Sequence, residues 1–206
     1  MMLDKLLFVF LKKFFIISIL IVSANMQALN AGDLFKGYTA FEKKDYLTSF
    51  NEFSPLAEEG DPLAEFFLGL FYKNGFFVEK DINKAIKWYE LSASKGNVYA
   101  QNNLGLMHEK GLGFPVNYEK AFKMYLLSAE EGYAVAQYNL GIMYYNGKGV
   151  EKSIVDGFMW INISSLNGDD DGEELKLIMT NEMTETQIEQ ALLKTKNCIK
   201  KKLKKC

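Results

Sequence analysis

The sequence predicts an all-α array of antiparallel helix pairs stacked side by side, an α-solenoid, and three observations predict it. The pair Leu-Gly recurs at 68–69, 104–105 and 140–141, a spacing of 36 residues each time. The same spacing relates Ala64, Ala100 and Ala136; Gly75, Gly111 and Gly147; Gly60, Gly96, Gly132 and Gly168; and Trp88, Met124 and Trp160. Within each copy the apolar residues fall at helical spacing. In the third copy Ala136, Leu140, Gly141 and Tyr144 share one helix face, with a small residue where another helix must come close. A period of this length marks a repeat architecture in which one helix pair cannot bury its own apolar face and gains stability by stacking.

Taken in order, residues 1–24 read as a secretory signal peptide. Lys5, Lys12 and Lys13 precede the apolar run "FFIISILIV", and Val22-Ser23-Ala24 supplies a cleavage site, with Ala28 and Ala31 as alternatives. The run is short of the roughly 18 residues a bilayer span needs. An uncleaved inner-membrane anchor, helped by "LLFVFL" at 6–11, is the alternative. Residues 25–32 are a short linker. Residues 33–60 form an N-terminal capping pair, with segments 33–43 and 45–59 joined at "KKD" and Pro55 expected to disturb the second. Repeats 1, 2 and 3 then occupy 61–96, 97–132 and 133–168. Each first helix stops at Gly75, Gly111 or Gly147, because glycine readily takes the left-handed conformation that closes a helix. Each second helix is amphipathic, as in 117–132, where Ala121, Tyr125 and Ala129 form one stripe. Residues 169–206 form C-terminal capping helices and a basic tail. Asp169, Asp170 and Asp171 favour the positive end of the next helix, and Thr184 with Gln187 reads as a capping box.

Composition narrows the function. The 206 residues include 24 lysines and no arginine, so the planar fork that grips phosphate in two places is missing. Residues 194–206 hold seven lysines and no acid, which leaves an acidic body with a formal net charge of −2 for the whole chain. This pattern predicts neither nucleic-acid nor nucleotide binding. Gly147-Lys148-Gly149 has the look of a phosphate loop, but Lys148 is Phe76 and Leu112 in the other copies, and Gly149 stands where Ser or Thr is needed. Ser92-Ala93-Ser94-Lys95 matches the S-x-x-K nucleophile motif without its partner motifs, and Ser128 and Ser164 are its repeat equivalents. His108 is the only histidine and stands where the other copies have Tyr72 and Tyr144, which predicts a packed aromatic position. No catalytic, metal-binding or cofactor-binding set is expected.

The pattern "A…YNLG.MYYNG.GV…A…W…A…G" at this period resembles the Sel-one-like repeat, a relative of the tetratricopeptide repeat with a longer inter-helix loop. The resemblance covers about residues 33–170, and "MTETQIEQALLKTKNCIKKKLKKC" is similar to the tail of secreted members. It implies a right-handed superhelix acting as an adaptor or binding surface, usually without catalysis. Some secreted members carry a cysteine pair in each repeat and have been associated with penicillin binding or β-lactamase activity; the repeats here hold no cysteine, so that chemistry is not carried over.

The expected function is an exported, non-catalytic interaction module that receives a peptide or protein in a concave groove. Groove positions implied by related helix-pair repeats are Phe66, Asn102 and Tyr138; Asn103 and Asn139; and Lys73, Glu109 and Tyr145. Asparagines offer donors and acceptors to a peptide backbone, and tyrosines offer rigid amphipathic area. The alternatives are a hydrolase of cell-wall or β-lactam substrates and an assembly factor tethered at the inner membrane. Membrane contact is expected only through residues 1–24 if uncleaved, or weakly through the lysine tail. Cys198 and Cys206 would lie about 12 Å apart on a continuous helix, beyond disulfide reach. An intrachain bond therefore requires the helix to end between them, and intermolecular pairing is the alternative.

Overall fold

The computed structural model describes residues 32–204 and 206. The signal segment expected at 1–24, and the expected linker up to residue 31, lie outside the described residues. Ten α-helices make up the described chain: α1 (Leu34–Glu42), α2 (Tyr46–Glu58), α3 (Pro62–Asn74), α4 (Ile82–Ser94), α5 (Val98–Lys110), α6 (Tyr118–Glu130), α7 (Ala134–Asn146), α8 (Ile154–Leu166), α9 (Asp170–Glu182) and α10 (Glu185–Lys200). Helices pair in order as α1/α2, α3/α4, α5/α6 and α7/α8, and each pair stacks on the next. The last two helices depart from this order, since α9 and α10 both pack on α8.

Local chemistry sets the helix ends. Asp61 caps α3 by accepting from the Leu63 and Ala64 amides, and Asp81, Asn97, Asn117 and Ser153 cap α4, α5, α6 and α8 in the same manner. The first helices of the three copies end on Gly75, Gly111 and Gly147 at φ of 75°, 70° and 69°. Pro55 does not break α2, contrary to expectation. It removes one amide near the end of the helix, and the carbonyl that loses its partner belongs to exposed Asn51, where water can serve it.

The pairs lock through features that recur every 36 residues. A methyl group on Gly69, Gly105 or Gly141 would collide with Tyr89, Tyr125 or Ile161, so glycine is what lets the two helices of each copy touch. Ser92, Ser128 and Ser164, all fully buried, donate to the carbonyls of Pro62, Val98 and Ala134 at 2.6, 2.8 and 2.8 Å. Ala64, Ala100 and Ala136 are fully buried where helices cross. The core is aromatic at the N-terminal end, where Phe53 stacks on Phe67 with ring centres 4.2 Å apart, and richer in methionine further on, with Met143, Met159 and Met179 buried. Each such side chain contributes about 1.5–3 kcal/mol on burial.

At the C-terminal end α10 stops at Lys200, and Lys202 and Leu203 take positive φ, turning the chain back. Cys206 thereby meets Cys198 in a disulfide with Cα atoms 5.1 Å apart. Leu203 packs on the core of the second and third copies, and Lys204 pairs with Glu131 at 2.5 Å.

Candidate interaction surface

The first helices α3, α5 and α7 lie along one side of the array, so side chains about one repeat apart become neighbours. Lys73 Nζ, half-buried, donates to Asn103 Oδ1 at 3.0 Å, and Asn103 donates in turn to the Tyr99 carbonyl. Asn139 Nδ2 donates to Asn102 Oδ1 at 3.0 Å. Glu109 accepts from the Tyr125 hydroxyl at 3.0 Å and has Lys148 at 3.8 Å. Tyr145 donates to Glu182 on α9. Phe66 is buried, with its ring against Phe67, Tyr89 and Tyr99. Tyr138 is partly buried on the cluster around Phe158.

Electrostatics follow from this packing. Burial holds the Lys73 ammonium below its ordinary pKa. Burial, then the Glu109 carboxylate, pushes the Tyr125 phenol up, and burial alone does the same to Tyr89. Tyr138 is raised by burial and by Asp171, Asp169 and Glu174.

The eight residues expected to face a partner are thus mostly engaged with other side chains or packed. Sequence reasoning placed them on the correct helices but could not see the adjacency that ties them. It also missed the more open positions on the same helices. Tyr99 is 44% exposed and Val135 is 38% exposed, and Leu70, Leu106, Ile142 and Ile178 form a partly exposed apolar row at the repeat spacing. That spacing was present in the sequence as a signal.

Other motifs are absorbed by the architecture. The Ser92 hydroxyl is committed to the Pro62 carbonyl, and Lys95 is held by Glu65 and the Gly60 carbonyl, so the S-x-x-K pair is a structural tie. His108 stacks on Phe114 with ring centres 4.1 Å apart, and burial lowers its pKa. Lys148 bridges copies, reaching Glu109 and lying over the Tyr118 ring. Asp169 caps α9 through the Gly172 amide, and Thr184 and Gln187 form the capping box of α10. Among the described residues no group of three or more His, Cys, Asp or Glu is placed to hold a metal ion, and no helix is long and apolar enough to cross a membrane.

Comparison with known proteins gives the same picture. A protective antigen of uropathogenic Escherichia coli strains displaying an SLR fold is 31% identical, with a TM-score of 0.69 over 76% of this chain and 33% of its own. A Sel1 repeat protein from Oxalobacter formigenes is 30% identical, with a TM-score of 0.64 over 68% of this chain and 59% of its own. This chain therefore spans about a third and three fifths of the lengths of those two proteins. No curated protein matched. Residues 62–97, 98–133 and 134–169 each match the Sel1 repeat, which is just over half of the sequence, and the chain belongs to the Sel1 repeat family.

Proposed function

We propose that the array is an exported, non-catalytic interaction module that receives a peptide or protein segment along the face built by α3, α5, α7 and α9. The observation that carries this reading is the ladder between first helices. Packing positions repeat from copy to copy, whereas Phe66, Asn102 and Tyr138, and Lys73, Glu109 and Tyr145, differ in every copy, and the pairs Lys73–Asn103, Asn102–Asn139 and Tyr145–Glu182 tie each first helix to the next. Such links fix rotamers before a partner arrives, which lowers the ordering cost of binding. The apolar row Leu70, Leu106, Ile142 and Ile178 runs alongside and supplies area to bury. Sel1 arrays generally mediate protein interactions. Export is supported by the basic-then-apolar pattern of residues 1–24 and by a disulfide, which persists in oxidising compartments. No activity as a hydrolase is proposed, because Ser92 and Lys95 are both committed to structural partners.

The test is site-specific photo-crosslinking in a periplasmic extract. A photoreactive residue at Tyr99 or Val135, on first helices, is expected to capture a defined partner. The same group at Leu91 or Leu127, equally exposed on second helices, is expected to capture none. Equal capture from both faces would overturn the assignment.

A further inference from the structure

The capping helix of a stacked array turns one side to water, and solubility requires that side to be polar. α10 departs from this. Its outer side carries Leu192, Leu193 and Ile199, which are 48%, 60% and 48% exposed. All three lie in the C-terminal half of the helix, one turn from Lys196, so they gather on one patch.

Lysine frames the patch. Lys200 stands one turn beyond Lys196, and α10 ends in the turn that carries Lys201 and Lys202. All four are exposed, and among the described residues none has an ion-pair partner. Lys194 and Lys204 are already committed, to Asp156 and Glu131. The Cys198–Cys206 bond closes the chain back on α10, which holds Lys201 and Lys202 next to Ile199 rather than on a free tail. The acids of α10, Glu185 and Glu189, sit toward its N-terminus, so the helix runs from acidic to basic.

Charge and apolar area together identify what this patch fits. A nucleic acid would use the lysines but leave three apolar side chains wet, and the chain has no arginine to fork onto its phosphates. A surface of anionic lipid uses both: the leucines and the isoleucine enter the headgroup region while the ammonium groups stay at the lipid phosphates. The acidic remainder of the chain is repelled by the same surface, and salt confines that repulsion to about 10 Å, so contact is directed to this end.

We propose that the C-terminal cap, at Leu192, Leu193, Lys196, Ile199 and Lys200, is a reversible docking site for an anionic lipid surface. It is separate from the first-helix face and requires no protein partner.

The test uses the whole chain with Leu193→Trp as reporter. Vesicles of equal parts phosphatidylglycerol and phosphatidylcholine carry brominated acyl chains, which quench a tryptophan that touches them. Quenching beyond that of the native Trp88 and Trp160 is expected with these vesicles and not with phosphatidylcholine alone. Because the signal comes from position 193, attachment through residues 1–24 does not produce it. Adding Lys196→Gln and Lys200→Gln should raise the lipid concentration for half-quenching about 25-fold, about fivefold for each lysine. Both side chains are exposed and unpaired, so the melting temperature should not move. The same charge change at exposed Lys120 and Lys123 of α6 should leave the titration where it was. Equal quenching by neutral vesicles, or none by either kind, overturns the proposal, as does an equal loss in the α6 control. Displacement from the vesicles by polyglutamate at matched charge would assign the patch to an acidic polypeptide and overturn it too.

Discussion

Lys95 reaches across from the end of α4 to place its ammonium 2.5 Å from the Glu65 carboxylate, whose side chain is only 2% exposed. The two members are unequal: Lys95 can swing into water, and Glu65 cannot. Lys95→Ala is therefore expected to destabilise by about 3 kcal/mol, because it strands a buried charge. Glu65→Gln should cost much less, since Gln101 and Gln137 occupy the same position in the next copies and donate to the Ala93 and Ala129 carbonyls. Urea unfolding of the two variants checks the order.

Ser128→Ala removes a fully buried hydroxyl and leaves the Val98 carbonyl without that donor. The expected loss is about 1 kcal/mol. Ser92→Ala should behave alike, with no effect on nitrocefin in either protein. Nitrocefin turnover that vanished in Ser92→Ala would overturn the structural account of that residue.

Gly105→Ala sets two effects against each other. Alanine is the better helix former by about 1 kcal/mol. Its methyl group would lie 2.7 Å from the Tyr125 ring, which is fully buried and cannot swing away. Overpacking costs about 1–3 kcal/mol, so the net change is expected to be destabilising, and thermal melts of Gly105→Ala measure it.

High pH should unfold the array. Tyr89, Tyr125, Tyr133, Tyr138 and Tyr144 all have folded-state pKa values raised above the ordinary 10.0, with burial the leading cause. A raised pKa means that the folded state holds its proton after the unfolded state has lost it. The contribution is complete below pH 10 and is lost as pH climbs above it, at a slope approaching about 1.4 kcal/mol per pH unit for each fully shifted tyrosine. Urea midpoints between pH 8 and pH 11 report the slope, and Tyr125→Phe should flatten it.

Reducing the Cys198–Cys206 bond should lower stability by about 2–3 kcal/mol on loop-entropy grounds, and Leu203 and Lys204 should lose their contacts with it. Melting with and without a reductant is the measurement, with Cys206→Ser as the matched control.

Most helix positions and stops were legible in the sequence because they rest on local chemistry: a capping Asp, Asn, Ser or Thr before the helix, a glycine after the repeat helices, and apolar residues at helical spacing; α7, preceded by Tyr133 without a side-chain cap, rests on the repeat register instead. Pro55 was misread because the rule against helical proline assumes a buried carbonyl at the preceding turn, and Asn51 is exposed. The candidate surface was half legible. Equivalent positions were found by counting, but whether Asn102 faces water or Asn139 depends on how far one first helix stands from the next, and no single copy encodes that distance.

The serine ties bear on how such a chain can change length. Ser92, Ser128 and Ser164 each reach back 30 residues to the start of their own copy's first helix. Removing or duplicating one whole 36-residue block therefore leaves every serine with an acceptor at the same separation, and every close-approach glycine with a partner. Recombination between copies yields a shorter or longer array from parts that already fit. The length of the first-helix face is then an inherited variable, set by the number of copies.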